Sequence, residues 1–289
     1  MYKKKFQRWG KHQVFRIIIV LGLAITSTSL AQKSKAHKKD IQPTTPNRII
    51  SLTVGTDEIL IDLFKNTKDM SRLIGVSSLA SNIKYSNVSK ASVQIKNKVG
   101  AQIESVIRLS PDLIVTAAYS NPDILNKLEL LKMRTLKLSS FDSLNSIKEN
   151  IAIISNIVNA KERGQRLIAK LETIKPLFVN KKPTVINYSP SGHLMGKKTI
   201  IDDLLNTMGL HNVVTQTGWP KISSEKILKL NPNYIIVGGH RSHKDKILSK
   251  LQSIPGWSSL TAVKDEKVII VNERDLSSTS HYIVNAYQQ

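Results

Sequence analysis

Two stretches of this sequence decide its fold, because they repeat one pattern in the two halves of the chain. Residues 104–115 read Glu-Ser-Val-Ile-Arg-Leu-Ser-Pro-Asp-Leu-Ile-Val, and residues 225–237 read Glu-Lys-Ile-Leu-Lys-Leu-Asn-Pro-Asn-Tyr-Ile-Ile-Val. Proline disfavours the helical conformation of the residue before it, so each stretch predicts a helix that ends before an apolar strand. The shared spacing from glutamate to proline favours two similarly built lobes, although any succession of helix, proline and strand gives a related pattern.

Strand and helix patterns alternate on both sides of these stretches. In the first half we predict strands over residues 48–52, 72–76, 113–116 and 135–138, and helices over 57–64, 102–109 and 123–132. In the second half we predict strands over residues 184–188, 234–237 and 268–271, and helices over 199–208, 224–230, 245–251 and 280–289. This alternation predicts an α/β protein with mostly parallel sheets and helices on both faces.

Helical periodicity also joins the two halves, over residues 143–178. A single helix of that length would measure about 54 Å, which exceeds either half, so we predict a bridging helix over about 143–158 and a second over about 160–178. The break is expected at Asn159-Ala160 or at Gly164. The predicted fold is two Rossmann-like lobes bridged by a long α-helix, with a ligand cleft between the lobes. The predicted boundaries are a signal peptide at 1–31, a disordered linker at 32–46, an N-terminal lobe at 47–141, a bridging helix region at 142–180 and a C-terminal lobe at 181–289.

The basic charge of the chain is concentrated partly at its start. The 289 residues include 43 Lys and Arg against 21 Asp and Glu, a net charge of +22. Six of the basic residues and no acidic ones lie in residues 1–31, around a short apolar run that ends in small residues and Ala31. A membrane-spanning helix needs about 20 apolar residues, so this segment predicts a cleaved secretory signal. The remaining net charge of +16 is spread along the chain. Because the protein is predicted to be exported, we do not expect nucleic acid as a partner.

Several kinds of chemistry are absent from the sequence. It contains no cysteine, which excludes disulfides, thiol catalysis and a cysteine-linked lipid anchor. It has no GxSxG turn, no P-loop and no GxGxxG after the first strand. His240 and His243 are weakly suggestive of a metal site, but residues 48–140 contain no histidine, so we expect no metal bound directly between the lobes. The protein is therefore predicted not to be an enzyme.

Candidate ligand contacts follow from the predicted sheets. Ligands of open parallel sheets bind beyond the carboxyl ends of the strands. If the lobes face each other, hydroxyls, aromatic rings and two arginines line one cleft. The candidate residues are Thr53, Val54, Tyr119, His193, Trp219, His240, Arg241 and Arg274.

Five blocks of the sequence resemble one protein family in their order along the chain. These blocks are residues 48–60, 99–115, 199–205, 218–225 and 255–263. Together they resemble the substrate-binding proteins of ABC importers for iron complexes and cobalamin, over nearly all of residues 48–289. The resemblance implies two Rossmann-like lobes joined by one long helix. It also implies that Glu104 and Glu225 dock onto arginines of a membrane permease, whereas the alternative is that they are ordinary acids at helix starts.

The resemblance implies a transported ligand rather than a resident cofactor. We expect a ferric siderophore or haem, because Arg241 and Arg274 could bind its negative charge. Cobalamin is the alternative: Gly218-Trp219-Pro220 resembles a cobalamin-contacting segment, but Leu79 and Ala117 stand where that pattern has aromatics. The expected partners are the ABC permease with its ATPase, and the protein is expected to be a soluble periplasmic monomer. An enzyme on the same plan and a secreted anion-binding or surface protein are the competing functions.

Overall fold

Two parallel β-sheets organise the chain, one in each half. The computed structural model describes residues 45–100, 102–177, 180, 182–189 and 191–289. The strands of the first sheet are β1 (Ile49–Ser51), β2 (Leu73–Ser77), β3 (Asn97–Val99), β4 (Leu113–Ala117) and β5 (Thr135–Leu138). Those of the second are β6 (Thr184–Tyr188), β7 (His211–Asn212), β8 (Tyr234–Gly238) and β9 (Val268–Val271). The orders are β3-β2-β1-β4-β5 and β7-β6-β8-β9, and all neighbouring strands are parallel.

Helices connect the strands within each lobe and join the lobes. The first lobe contains α1 (Val54–Phe64), α2 (Ser89–Ser92), α3 (Ile103–Arg108) and α4 (Pro122–Leu130). The connection contains α5 (Leu144–Ile157) and α6 (Lys161–Leu171). The second lobe contains α7 (Ile200–Thr207), α8 (Ser224–Leu230), α9 (Lys244–Gln252), α10 (Thr261–Lys264), α11 (Glu273–Leu276) and α12 (Ile283–Tyr287). The predicted α/β class with two parallel-sheet lobes is confirmed, while the predicted signal peptide and residues 32–44 of the predicted linker lie outside the described residues. None of the helices in the described ranges is long and apolar enough to cross a membrane.

Four differences from the predicted elements have local causes. Strands β3 and β7 were not predicted, because they are too short for a periodic pattern to show. Helix α6 ends at Leu171 rather than near 178, since Pro176 follows closely and disfavours helix in the residue before it. The closing helix is confined to Ile283–Tyr287, because residues 278–281 contact α1 in the first lobe instead.

The two repeats end their helices in the same conformation. Ser110 and Asn231, the residues before each proline, have positive φ values of 43° and 37°. Each proline is then followed by the strand at the equivalent place in its sheet. Strand β4 lies between β1 and β5, and β8 lies between β6 and β9. The sequence repeat is therefore also a structural repeat.

The residue after each proline ties its strand to the neighbouring one. The carboxylate of Asp112 accepts hydrogen bonds from the backbone N–H groups of Asn47 and Arg48, at 2.7 and 2.9 Å. The Asn233 side-chain oxygen accepts from the backbone N–H of Thr184, at 2.9 Å. In both lobes these bonds fix the start of the first strand against the strand of the repeat.

Helix α5 bridges the lobes. It packs against α1 of the first lobe and α7 of the second, and the backbone N–H of Leu144 donates to Asp203 Oδ2 at 2.8 Å. The chain turns at Asn159, whose φ is 59°, and α6 then packs along α5. Gly164 is not a break: it lies inside α6, where a Cβ atom would come within 2.3 Å of Ser155 Oγ on α5.

One continuous apolar core runs through both lobes. It includes Ile49 of β1, Leu60 of α1, Ile151 of α5, Leu204 of α7 and Val271 of β9, all buried. Protein interiors are close-packed and resist deformation. The shared core therefore favours lobes that move little relative to each other.

A buried carboxyl on α1 holds the C-terminal segment of the second lobe against the first. Glu58 is fully buried and accepts hydrogen bonds from Ser278 Oγ at 2.9 Å and Ser280 Oγ at 2.5 Å. The backbone N–H and side-chain Nδ2 of Asn87 donate to its other oxygen, at 2.9 and 3.1 Å. Burial raises the pKa of Glu58, and these donors act against the rise. We call Glu58, Asn87, Ser278 and Ser280 the interlobe clasp.

A second buried acid extends this contact by one helical turn. Asp62 Oδ2 lies 2.9 Å from His281 Nε2 and 3.1 Å from the hydroxyl of Tyr282, and Lys65 pairs with Oδ1 at 3.0 Å. Burial alone would raise the pKa of Asp62, but His281 and Lys65 together lower it to about 2. Burial lowers the pKa of His281, and the nearby Asp62 carboxylate acts against that change.

Gly55 allows a close approach of the two lobes, and its substitution is expected to destabilise the fold. A Cβ atom at this position would lie 2.3 Å from Thr279 Oγ1. Although alanine favours helix by up to about 1 kcal/mol, Gly55→Ala should lower the free energy of unfolding by about 1–3 kcal/mol through overpacking, measured by urea denaturation.

Two variants provide the controls for this prediction. Gly238→Ala should change stability by less than about 0.5 kcal/mol, because its Cβ would have ordinary contacts of 3.6 Å or more. Gly55→Ala combined with Thr279→Ala should recover part of the loss. Equal stability of Gly55→Ala and wild type would contradict the tight contact.

Candidate functional site

A cavity of about 500 Å³ opens at the carboxyl ends of the strands of the first sheet. Its wall is formed by residues that follow β1, β2, β3 and β4, and by residues 277–279 of the second lobe. The lobe–lobe contact at Gly55 and Thr279 therefore forms one side of the cavity. This is the position at which open parallel sheets bind ligands.

A second cavity of about 340 Å³ lies on the side of the second lobe. Asn187 and Tyr188 of β6, Gly238 of β8 and Trp219 contribute to its wall. Ser277 belongs to the walls of both cavities, so the two are adjacent parts of one interlobe cleft.

Large apolar and aromatic side chains stand partly in solvent around the cleft. Tyr85 and Tyr119 line the first cavity with 36% and 58% of their surface exposed, as does Leu79 with 47%. Trp219 lines the second cavity and is 56% exposed. Such side chains grouped at a concave surface are typical of a ligand site rather than of ordinary protein surface.

Neighbouring groups hold two of these rings in place. The Tyr119 ring packs edge-on against Phe141 with centroids 5.2 Å apart, and its hydroxyl lies 3.4 Å from Thr279 Oγ1. The turn that carries Trp219 is fixed by Gly218, whose φ is 76°. The backbone carbonyl of Gly218 accepts from Gly196 N–H at 2.8 Å. Both rings are therefore presented to the cleft by ordered segments.

The described part of the cleft presents almost no unpaired charged side chain. Among the residues that the structure describes, the wall of the first cavity contains no charged side chain. The second contains Lys84 from the first lobe and Glu273 from the second, and these pair with each other at 3.2 Å. Hydroxyl and aromatic groups therefore determine what the described part of the cleft can bind.

Four of the eight predicted contact residues line the cleft. Thr53, Val54 and Tyr119 lie in the wall of the first cavity, and Trp219 lies in that of the second. Thr53 also caps α1, since its hydroxyl accepts from the backbone N–H of Thr56. Their role in binding stays a prediction.

The other four predicted residues do not line either cavity. His193 Nδ1 lies 3.1 Å from Ser191 Oγ, and His240 caps the short 3₁₀ turn that follows it. Arg241 donates to the backbone carbonyl of Gln289. Arg274 is half-buried on α11. All four follow strands, as the sequence predicted, and their role in binding stays a prediction as well.

The structure adds cleft residues that sequence reasoning did not select. Tyr85 and Lys84 come from the long connection between β2 and α2, which has no periodic pattern. Residues 277–279 follow α11 rather than a strand, so the strand-end rule did not find them. The polar run from Ser277 to Ser280 was the available signal, because consecutive hydroxyls at the end of an apolar lobe require hydrogen-bonding partners.

Glu104 and Glu225 occupy equivalent places on the two lobes. Each lies in the first turn of its helix, α3 or α8, and is exposed. Neither side chain forms a hydrogen bond or ion pair with any residue that the structure describes. Within the same residues, no three His, Asp or Glu side chains gather closely enough to hold a metal ion.

A buried carboxyl lies directly behind the wall of the first cavity. Asp57 of α1 is fully excluded from solvent and forms no ion pair within the described ranges. Its Oδ2 lies 2.5 Å from Ser77 Oγ, and its Oδ1 accepts from the Ser77 backbone N–H at 3.1 Å. Burial raises the pKa of Asp57 to about 7, although hydrogen bonds from Ser51 and Ser77 oppose the rise.

Residues 49–274 match the family described as periplasmic binding protein. The chain belongs to this family. The match spans both sheets and the helices between them, and it confirms the predicted family. Members of the family are solute-binding proteins, not enzymes.

Relatives of this periplasmic binding protein cover most of its length. It is 25% identical to YvrC, an ABC transporter substrate-binding lipoprotein of Bacillus subtilis, with 78% of this chain and 73% of YvrC aligned. It is 24% identical to the vitamin B12-binding protein of Vibrio cholerae, with 96% and 95% aligned. A possible iron-binding periplasmic protein of Staphylococcus epidermidis has the same fold, with a TM-score of 0.66, 22% identity, and 84% and 96% coverage.

These relatives confirm the general function that the sequence predicted. The family is that of periplasmic binding proteins, and the relatives include an ABC transporter substrate-binding lipoprotein and a vitamin B12-binding protein. The relatives carry names with different ligands, so they do not select one.

The raised pKa of Asp57 predicts a specific dependence of stability on pH. The carboxyl of the unfolded chain has its ordinary pKa of 3.8, whereas burial raises the pKa of the folded one to about 7. The folded protein therefore keeps a proton that the unfolded chain releases, so this contribution to stability is present below about pH 4 and lost as the pH rises through about 7. The free energy of unfolding of Asp57→Asn should therefore increase relative to that of wild type as the pH rises from about 4 to about 8, measured by urea denaturation.

The exposed Asp245 on α9 provides the matched control. Asp245→Asn should change stability by a similar small amount at each pH. A difference between Asp57→Asn and wild type that stays constant with pH would show that Asp57 titrates normally.

Proposed function

We propose that this protein captures an uncharged, bulky metal chelate in the interlobe cleft, with a corrinoid as the preferred ligand, and delivers it to an ABC permease. The observation that carries the proposal is the composition of the cleft. Its walls combine hydroxyl groups and exposed rings with one mutually paired lysine and glutamate. A corrinoid presents a large apolar face and uncharged amide groups, which such walls can contact and hydrogen-bond.

The arrangement of charge makes an anionic chelate a poorer match than the sequence suggested. A charge that a ligand brings into a cleft loses hydration, and this is unfavourable unless an opposite charge compensates it. Arg241 and Arg274, which were expected to supply that charge, do not line the cavities. Lys84 is already paired with Glu273.

The permease and its ATPase are the proposed partners, and Glu104 and Glu225 are the proposed docking residues. The two acids lie at equivalent points of the structural repeat, one on each lobe, and each is free of partners within the described residues. On a basic protein, two separated acids that face a basic surface of the permease would fix the orientation of docking more than they would raise the affinity for the permease. We further propose that the protein acts as a soluble periplasmic monomer, because its 289 residues include no cysteine to carry a lipid.

The ligand is tested by tryptophan fluorescence of residues 32–289, titrated separately with cyanocobalamin, haemin and ferric siderophores. That segment contains two tryptophans, the exposed Trp219 and the buried Trp257. We expect saturable quenching by cyanocobalamin, and loss of most of the quenching in Trp219→Phe. Saturable binding of haemin or a siderophore alone would replace the corrinoid by an anionic chelate. Salt-sensitive binding to anionic surfaces without saturation would favour the secreted anion-binding alternative.

Docking is tested by the double variant Glu104→Ala/Glu225→Ala. It should lower ligand uptake by cells more than about tenfold while leaving ligand affinity unchanged, because loss of charged contacts at an interface commonly costs more than 1.4 kcal/mol. The matched control is Glu129→Ala/Glu172→Ala, which removes the same charge from exposed positions on other surfaces. Weaker ligand binding by the first variant, or equal loss of uptake in both, would contradict the assignment.

A further inference from the structure

The Asp57–Ser77 pair connects a buried carboxyl to the wall of the first cavity. Asp57 has no exposed surface and Ser77 is 5% exposed, yet Ser77 contributes to the cavity wall. Asp57 Oδ1 accepts from the Ser77 backbone N–H at 3.1 Å, and Oδ2 accepts from the same N–H at 3.3 Å and from the Ser77 hydroxyl at 2.5 Å. Ser77 therefore bonds to the buried carboxyl and also belongs to the wall against which a ligand would bind.

This geometry gives the Ser77 hydroxyl two hydrogen-bonding states. When Asp57 is ionised it can only accept, so the Ser77 hydroxyl hydrogen must point at Oδ2 and the cavity meets an acceptor. When Asp57 is protonated, a proton on Oδ2 faces Ser77 Oγ at 2.5 Å, and Oδ1 keeps the shorter of the two bonds from the Ser77 backbone N–H. The carboxyl then donates to Ser77 Oγ, and the hydroxyl hydrogen becomes free to donate towards the cavity.

We propose that Asp57 is a positioning residue that sets whether Ser77 offers the ligand a hydrogen-bond donor or an acceptor, and thereby makes ligand affinity depend on pH. The inference rests on the proposed function only in taking the first cavity as part of the ligand site.

The surroundings of Asp57 place this change within a physiological range of pH. The neighbouring Glu58 is buried in the interlobe clasp, Lys98 approaches from β3, and Tyr119 approaches from the segment after β4. Lys98 Nζ donates to backbone carbonyls, including that of Ser92 at 2.9 Å, rather than to Asp57. Because no cation pairs directly with Asp57 among the described residues, its burial keeps the pKa at about 7.

The direction of the effect follows from water exclusion. A ligand in the cavity removes water from the wall next to Asp57, which disfavours the charged form of the carboxyl further. By linkage, a ligand that raises the pKa of a group binds more tightly when that group is protonated. The protonated state also supplies the Ser77 donor, so affinity should increase as the pH falls through about 7.

The first test measures cyanocobalamin affinity by fluorescence at about pH 5.5 and about pH 8.5. One hydrogen bond contributes about 0.5–1.5 kcal/mol, so wild-type affinity should weaken by about 2- to 10-fold at the higher pH. Asp57→Asn can accept from the Ser77 N–H and donate from Nδ2 to its hydroxyl, as the protonated acid does. It should keep the low-pH affinity of wild type throughout. Ser78→Ala, in the same wall but without contact to Asp57, should retain the wild-type pH dependence.

The second test needs no ligand. The amide resonance of Ser77 in ¹H–¹⁵N NMR spectra of the protein should shift with pH, with a midpoint near 7, and this shift should be absent in Asp57→Asn. A Ser77 amide that does not titrate, or an affinity that varies with pH equally in wild type and Asp57→Asn, overturns the proposal. If cyanocobalamin does not bind at any pH, the proposed ligand is wrong, and the Ser77 titration alone then supports or overturns the role of Asp57.

Discussion

The hydrogen bonds to one buried carboxyl, that of Glu58, fix how the two lobes meet. A carboxyl without access to water is tolerated only when other donors replace the lost hydration. For Glu58 these donors come from both lobes: Asn87 from the first, and Ser278 and Ser280 from the second. Removing the two serine hydroxyls while the carboxyl stayed buried would leave an acceptor unsatisfied, at a cost of about 1–3 kcal/mol. The same contact holds residues 277–279 against the first cavity, so the shape of the cleft depends on the clasp.

The structural repeat explains how one short sequence pattern specifies two lobes. A positive-φ residue before the proline ends the helix, and the polar residue after the proline bonds to the start of the neighbouring strand. Asp112 and Asn233 thus perform a task that ordinary strand periodicity does not reveal, because it depends on a side-chain oxygen reaching a backbone N–H of another strand. Each repeat also leaves its first-turn glutamate exposed on the outer end of a helix, so the features that build the lobes also present Glu104 and Glu225 to a partner.

Only some of the residues that line the cleft were predicted from the sequence. Thr53, Val54, Tyr119 and Trp219 were found by the rule that ligands bind beyond strand ends. Tyr85 was missed because it lies in a long loop without a periodic pattern, and the loop's path is decided by packing. Arg241 and Arg274 follow strands as required but do not line either cavity, and Arg241 donates to the backbone carbonyl of Gln289. A rule based on distance along the chain gives the neighbourhood of a side chain and not its direction.

Local spacing of apolar residues, prolines and glutamates was enough to predict the α/β class, the two lobes and the bridging helix, and five sequence blocks were enough to indicate the family. Tertiary contacts were needed to show which side chains meet in the cleft, that Lys84 and Glu273 pair there, and that Asp57, Glu58 and Asp62 on one helix are all buried. In the sequence, α1 carries three acids in six residues, which is typical of an exposed helix. Apart from near neighbours such as Lys65, their donors lie 20 to more than 200 positions away, and contacts at that separation exist only after the chain has folded.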